Sequence, residues 1–212
     1  MIGSEAGAMD RLACEPVDAE EMFAGAPDLA RSLVEGLRAE HGPVEVNAER
    51  EWYAPEHHDP DAFAAPDGLY RYASVWCRRD GAVLLVRPSV DEGWCPPGGT
   101  WETGESLAET ARRETSEETG IEVAITGVLE ARLAWTGYAD LPGDGGAVDG
   151  RDDVDPREDL DGDYSLGAIF HAEAVGGDLR PEPDGTDAAG WFSAIPDREN
   201  LVFERVADYP EP

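Results

Sequence analysis

Hydrophobic residues recur along this chain at two alternating periods, and the switches between them divide it into elements. From Asp28, Leu29, Leu33 and Leu37 return every four residues until His41-Gly42-Pro43 breaks the pattern, which predicts a helix of about three turns. Val44, Val46 and Trp52-Tyr53 then predict a short strand. Tyr70, Tyr72, Ser74 and Trp76 alternate with Arg71, Ala73, Val75 and Cys77, Asp80-Gly81 supplies a turn, and Val83 to Val86 returns as the second strand of a hairpin. Helical spacing comes back at Leu107, Ala111 and Thr115, a narrow apolar face that suits packing on a sheet. Ser106 with Glu109 reads as a capping box that opens this helix, and Gly120 as the left-handed residue that closes it. Ile121 to Trp135, Tyr164 to Val175 and Gly190 to Phe192 carry strand character. Asp197 to Val206, opening after Pro196, predicts a terminal helix that packs Leu201 and Val202, with Phe203 a further candidate. Strands that flank a helix and precede another define an α/β protein with a mixed sheet between helices.

The same pattern sets the organisation of the 212 residues, a length that suits one core with a small appendage. Residues 1–66 read as an acidic N-terminal extension, with a mobile tail or loosely packed start to about residue 28, then the helix and short strand. Residues 67–212 read as the main domain. Within it, residues 137–163 hold ten Asp or Glu among many Gly, too polar to pack, and read as a solvated insertion near the mouth of the site.

Composition changes the picture in one respect. The chain carries a formal net charge of −31, and all 16 of its basic residues are Arg. Such an excess of carboxylates repels itself unless counterions are abundant, and the absence of Lys makes the composition similar to that of cytoplasmic proteins of extreme halophiles. At 41% hydrophobic residues, with clear periodic segments, the chain still reads as folded. No cluster of basic residues suits long nucleic acid. No apolar run is long enough for a membrane span and the start MIGSEAGAMDR lacks the features of a signal peptide, so the cytoplasm is the expected location. Cys14, Cys77 and Cys95 are odd in number and widely spaced, which suits a reducing compartment. His57-His58, between Pro55 and Pro60, reads as a surface loop rather than a metal site.

Chemistry concentrates on the Ser106–Gly120 helix. Glu114 lies three and four residues from Glu117 and Glu118, and like charges so placed destabilise a helix by about 0.2–0.5 kcal/mol per pair. A hard divalent cation, Mg²⁺ or Mn²⁺, reverses that penalty, because it takes oxygen ligands and binds through carboxylates together with substrate phosphates. Arg113, four residues before Glu117, can brace a carboxylate through a forked hydrogen bond. The residues alone therefore suggest one to three divalent ions that clamp a diphosphate and ready a water for attack at phosphorus.

Gly99, Glu105, Arg113-Glu114, Glu117-Glu118 and Gly120-Ile121 resemble, at matching spacing, the signature box of the Nudix hydrolases. The one departure is Thr115, where the family has an aliphatic residue. Trp94, Pro97-Gly98-Gly99 and Gly104-Glu105 resemble the family's lead-in, Gly190-Trp191-Phe192 its closing strand, and the likeness covers roughly residues 68 to 200. The resemblance implies an α/β/α sandwich with Glu114, Glu117 and Glu118 as metal ligands, Arg113 as orienter and Glu105 as the link between loop and helix. It implies a backbone carbonyl from Gly98 or Gly99 as well. A general base is expected either among the helix glutamates or near Gly185, where Asp184 and Asp187 are candidates. Trp101, Trp135 and Tyr138 are candidates for stacking on a base, with packing as the competing role.

The expected activity is hydrolysis of the diphosphate linkage in a nucleoside diphosphate joined to another moiety, a small phosphorylated substrate. The alternatives are a non-catalytic nucleotide-sensing domain and an isopentenyl diphosphate isomerase, which shares the fold but needs its own cysteine and glutamate. The N-terminal extension is open to shaping the pocket, to pairing two subunits as a homodimer, or to neither.

Overall fold

Alternating strands assemble around the Tyr70–Cys77 segment, and the computed structural model describes residues 11–53, 65, 67–90, 92–138, 162–181 and 185–212. Among these the strands are β1 (Arg11–Val17), β2 (Val46–Tyr53), β3 (Leu69–Arg79), β4 (Ala82–Pro88), β5 (Gly98–Thr100), β6 (Ile121–Tyr138), β7 (Gly162–Gly177) and β8 (Thr186–Phe192). They form one sheet in the order β1-β2-β6-β7-β3-β4-β8, with β5 paired to β3. The sheet is mixed: β2 runs parallel to β6 and β3 to β7, while the other neighbours are antiparallel.

Period-2 alternation gives the sheet two faces. Ala48, Ala73, Val75, Leu133 and Phe170 line one face and share a core with α1 (Ala19–Gly25), α2 (Asp28–His41) and α3 (Leu107–Thr119). Trp76, Val83, Leu85 and Ile169 line the other and pack against Leu201 and Val206 of the C-terminal segment. Trp76, wholly buried, also donates its indole N–H to the Pro210 carbonyl at 3.0 Å. The α-helices thus lie on one side, and a C-terminal strap with two short 3₁₀ turns forms the third layer.

Two expectations are corrected. Residues 11–25 form a strand and a helix: β1 pairs with β2, and Asp18 caps α1 by accepting from the Glu20 and Glu21 amides. Met22 and Phe23 give α1 a buried face, the driving force missed by reading only its acidic composition. The terminal helix over Asp197 to Val206 is replaced by two 3₁₀ turns, Arg198–Asn200 and Glu204–Asp208. Between them Trp94 donates its amide to Asn200 and accepts from Val202, which draws Leu201 into an extended bridge and breaks any helix. Leu201 is buried as expected, but Val206 rather than Val202 is its partner in the core. The hairpin of β3 and β4 forms as expected around Asp80-Gly81, paired at Arg78–Val83 and Arg79–Ala82 beside its turn. Beyond that point β3 gives its edge to β5, with Tyr72 opposite Thr100, Ala73 opposite Gly99 and Ser74 opposite Gly98. This seam builds the glycine pair into the sheet.

Of the acidic insertion expected over 137–163, Gly137-Tyr138 and Gly162-Asp163 belong to β6 and β7, and the remainder lies outside the described residues, as do residues 1–10 and His57-His58. No described helix is long and apolar enough to cross a membrane.

Candidate active site

α3 starts and stops where its residues dictate. The Ser106 hydroxyl accepts from the Glu109 amide at 3.2 Å and the Glu109 carboxylate accepts from the Ser106 amide at 2.7 Å, so two otherwise unmet donors are satisfied reciprocally. Gly120 ends the helix at φ 71°, a conformation a side chain would strain. Leu107, Ala111 and Thr115 are buried against the sheet. The Thr115 hydroxyl donates to the Ala111 carbonyl at 2.6 Å, so the polar atom is absorbed within the helix and the departure from the family pattern disturbs no packing.

The exposed side of α3 is organised by Arg113. Its Nε and Nη2 donate to the two oxygens of Glu105 at 2.8 and 3.0 Å, a fork-to-fork pair. Its Nη1 donates to Glu114 at 2.9 Å and Glu117 at 3.1 Å, and Nη2 also reaches the Thr100 carbonyl at 2.9 Å. These bonds hold the Glu105 carboxyl down at about 2, burial opposing and the Thr110 hydroxyl at 2.8 Å assisting. Burial pushes the Glu114 carboxyl above its ordinary range; Arg113 pulls against that shift, and the charges of Glu117 and Glu105 add to it. The Glu118 carboxylate accepts from the Gly98 amide at 2.8 Å. A Cβ on Gly99 would stand 2.5 Å from the Glu114 carboxyl carbon, so a side chain there would push that carboxylate out of its present position.

Glu114 and Glu118 therefore face the Gly98-Gly99 strand, and Glu114 and Glu117 share Arg113. The three carboxylates do not converge on one point. The described group whose ligand atoms lie within 4.8 Å of one another is instead Cys14, Glu49 and Glu51. That group is already neutralised: Arg132 donates through Nε to Glu49 and through Nη2 to Glu51 at 2.7 Å, Arg205 lies 3.5 Å from Glu49, and the Cys14 thiol donates to Glu49 at 3.0 Å. A hard cation there would have to displace a guanidinium and accept a soft sulfur ligand. Around Arg113 the balance is the reverse. Glu105, Glu114 and Glu117 bond to one guanidinium, Glu102 lies 3.8 Å from it, and Glu118 sits beside them on the helix. This oxygen-only, charge-deficient donor set fits a divalent cation.

Other sequence candidates are less involved. Asp187 accepts from the Ser89 hydroxyl at 2.8 Å, and Asp184 lies outside the described residues. Trp135 packs edge-on against Trp52, and Tyr138 leans on Tyr53. Trp101 lies under the Arg71 guanidinium, 3.7 Å from it. Sequence reasoning missed Thr110, whose hydroxyl supports Glu105, although its place five residues after Glu105 and one turn into the helix was a readable signal. It also missed a small cleft on the sheet face opposite α3, lined by Tyr72, Ser74, Glu130, Arg132, Phe203 and Arg205. The cleft meets the glycine pair at Ser74, which is paired with Gly98.

A mixed sheet that presents a capped helix of carboxylates beside a glycine strand makes this an α/β protein with an acidic cluster at one edge of its helix layer. Residues 69–195 match the NUDIX domain, more than half of the chain, and the chain belongs to the Nudix family. It is 49% identical over 51 residues to Nudix hydrolase 4 of Arabidopsis thaliana, across 24% of this chain and 23% of that protein. It is 35% identical over 80 residues to the RNA pyrophosphohydrolase of Stenotrophomonas maltophilia, across 38% of this chain and 36% of the relative. The chain thus spans about a quarter to a third of the length of these curated relatives. A crystal structure of a NUDIX hydrolase from Nitrosomonas europaea aligns at 20% identity and a TM-score of 0.48, across 74% of this chain and 75% of that one.

Proposed function

We propose that this protein hydrolyses the diphosphate linkage of a nucleoside diphosphate joined to another moiety, with Mg²⁺ or Mn²⁺ held by Glu114, Glu117 and Glu118. The observation that carries this reading is the surplus of carboxylates around Arg113, with the Glu114 carboxyl lying against Gly99. The cation, when bound, neutralises charge on the phosphoryl oxygens and makes a water more acidic. The chain's own residues do the holding. Glu105 fixes the Nε–Nη2 edge of the Arg113 guanidinium, which leaves Nη1 to keep Glu114 and Glu117 in register on successive turns of α3. The Gly98 amide fixes Glu118 from the sheet side.

The isomerase alternative finds no support among the described cysteines. Burial pushes the Cys77 thiol up to about 12, Cys95 is buried, and Cys14 is engaged with Glu49. A sensing domain would have no use for the complete set of carboxylates and their brace. The test is release of nucleoside monophosphate or phosphate from a panel of nucleotides and nucleotide sugars, with Mg²⁺ in high KCl. Turnover of a diphosphate-linked nucleoside that disappears with EDTA supports the proposal, and no turnover across the panel overturns it.

A further inference from the structure

The loop between β5 and α3 rests on a buried cation that the chemistry described so far does not use. Arg71, on the helix-covered face of β3, is 7% exposed and pairs with Asp67 at 2.8 Å. Its Nε has no hydrogen-bond partner among the described residues. A buried guanidinium with an unmet N–H is a poor choice for stability alone, since an apolar side chain of similar volume commonly serves as well or better. What Arg71 does is hold Trp101. Its guanidinium lies 3.7 Å from the centre of the indole ring, and its carbonyl accepts the Trp101 amide at 3.0 Å.

Held there, the indole N–H donates to the Glu105 carbonyl at 2.6 Å. Glu105 in turn grips Arg113, which ties Glu114 and Glu117. Thr100 is pinned at the other end of the loop, by the Tyr70 hydroxyl at 2.6 Å and by Arg113 through its carbonyl. We infer that Arg71 and Trp101 are positioning residues for the cation-binding carboxylates: the stacked pair sets where Glu105 stands and so where Arg113 holds Glu114 and Glu117. This inference rests on the metal-dependent reading of α3 given above.

The test compares Arg71→Met, Arg71→Lys and Trp101→Phe in the full chain. Two readouts need no substrate: Mn²⁺ titration followed by electron paramagnetic resonance, and hydrogen exchange of the Arg113 Nε–H, which Glu105 protects. Arg71→Met should stay folded, weaken Mn²⁺ binding by about tenfold, as loss of an outer supporting contact commonly does, and speed Arg113 Nε–H exchange. It should lower kcat while leaving KM for the diphosphate substrate near the original value. Trp101→Phe keeps a ring under Arg71 but lacks the N–H, and should show the same losses. Arg71→Lys keeps a cation over the ring and should restore most of the Mn²⁺ affinity. Mn²⁺ affinity and Arg113 exchange unchanged in both Arg71→Met and Trp101→Phe would overturn the inference. A wild-type protein that binds Mn²⁺ but cleaves no diphosphate would sink the proposed activity instead, with the exchange comparison still deciding the positioning role.

Discussion

Two arginines organise charge in this protein, and the contrast between them separates a site from a scaffold. Arg132 lies on the sheet face opposite α3, 13% exposed, locked between Glu49 and Glu51, with Arg205 and Glu130 close by. Glu130 also accepts from Asn47 at 2.6 Å and from the Tyr209 hydroxyl at 2.8 Å, so each carboxylate of this group has donors to match. Arg113 lies on the helix side at 21% exposure and serves more carboxylates than one cation can neutralise. Distance alone favours the first cluster as a metal site, because its ligand atoms are closest together. Charge balance favours the second. Proximity of ligand atoms says little when a guanidinium already holds them; an uncompensated surplus of oxygen ligands is the better sign of a bound cation.

The sharpest way to break this contrast is to neutralise one residue in each cluster. Glu118→Gln should abolish Mg²⁺-dependent turnover while circular dichroism shows the fold intact. Full turnover in that variant would remove α3 from the chemistry. Arg132→Met should do the opposite, because it takes the main cation from half-buried Glu49 and buried Glu51 and leaves only Arg205, 3.5 Å from Glu49; removing one partner of a buried pair costs about 3–5 kcal/mol, and this partly compensated group should approach the lower end. Urea denaturation should show the loss directly. A midpoint unchanged from wild type would mean that this cluster is not the structural one.

The two clusters also differ in how far the sequence revealed them. Ser106, Glu109, Arg113, the three glutamates and Gly120 sit within one helix, so spacing along the chain is spacing in space, and α3 was legible to its caps. Arg132 and its partners are about eighty residues apart in the chain. They meet because β2 runs parallel to β6, with Glu49 opposite Ala134 and Asn47 opposite Arg132, a register that no local pattern encodes. The strap failed for a related reason. Asp197 to Val206 has helix-compatible residues, but the bridge from Trp94 to Leu201, over a hundred positions away, overrides their preference. Strands β3, β6 and β7 were readable because alternation is local; their order in the sheet was not.

Salt should act on both clusters through the whole chain's charge. With 47 acidic residues against 16 Arg, dilution from molar KCl to low-salt buffer should lower the melting temperature as screening is lost. The same melting temperature in both conditions would undo the halophilic reading of the composition.

Acid should weaken the structural cluster in a predictable direction. Burial pushes the Glu49 carboxyl up, and Arg132, the Cys14 thiol and Arg205 together outweigh it, leaving the group below its ordinary value of 4.5. A carboxyl lowered by folding contributes its full stabilisation above the unfolded value and loses it as pH falls through the folded one. Wild-type urea midpoints should therefore drop as pH is taken below 4.5, and Glu49→Gln should show a shallower drop over that range. Equal slopes would place the acid sensitivity elsewhere.

The smallest effect sharpens the comparison most finely, because it asks for a gain where function is lost. Glu118 lies four residues from Glu114, and removing one such like-charge pair should stabilise the cation-free protein by about 0.2–0.5 kcal/mol. Glutamine at that position keeps an oxygen that can accept from the Gly98 amide, so the sheet-side contact survives the exchange. Without metal, Glu118→Gln should then melt slightly above wild type. With Mg²⁺ the order should reverse, because binding to the native state stabilises the wild type alone. A crossing of the two melting curves with metal concentration would show that the carboxylates of α3 are in conflict until a cation joins them. Parallel curves would mean that their repulsion is already relieved by Arg113.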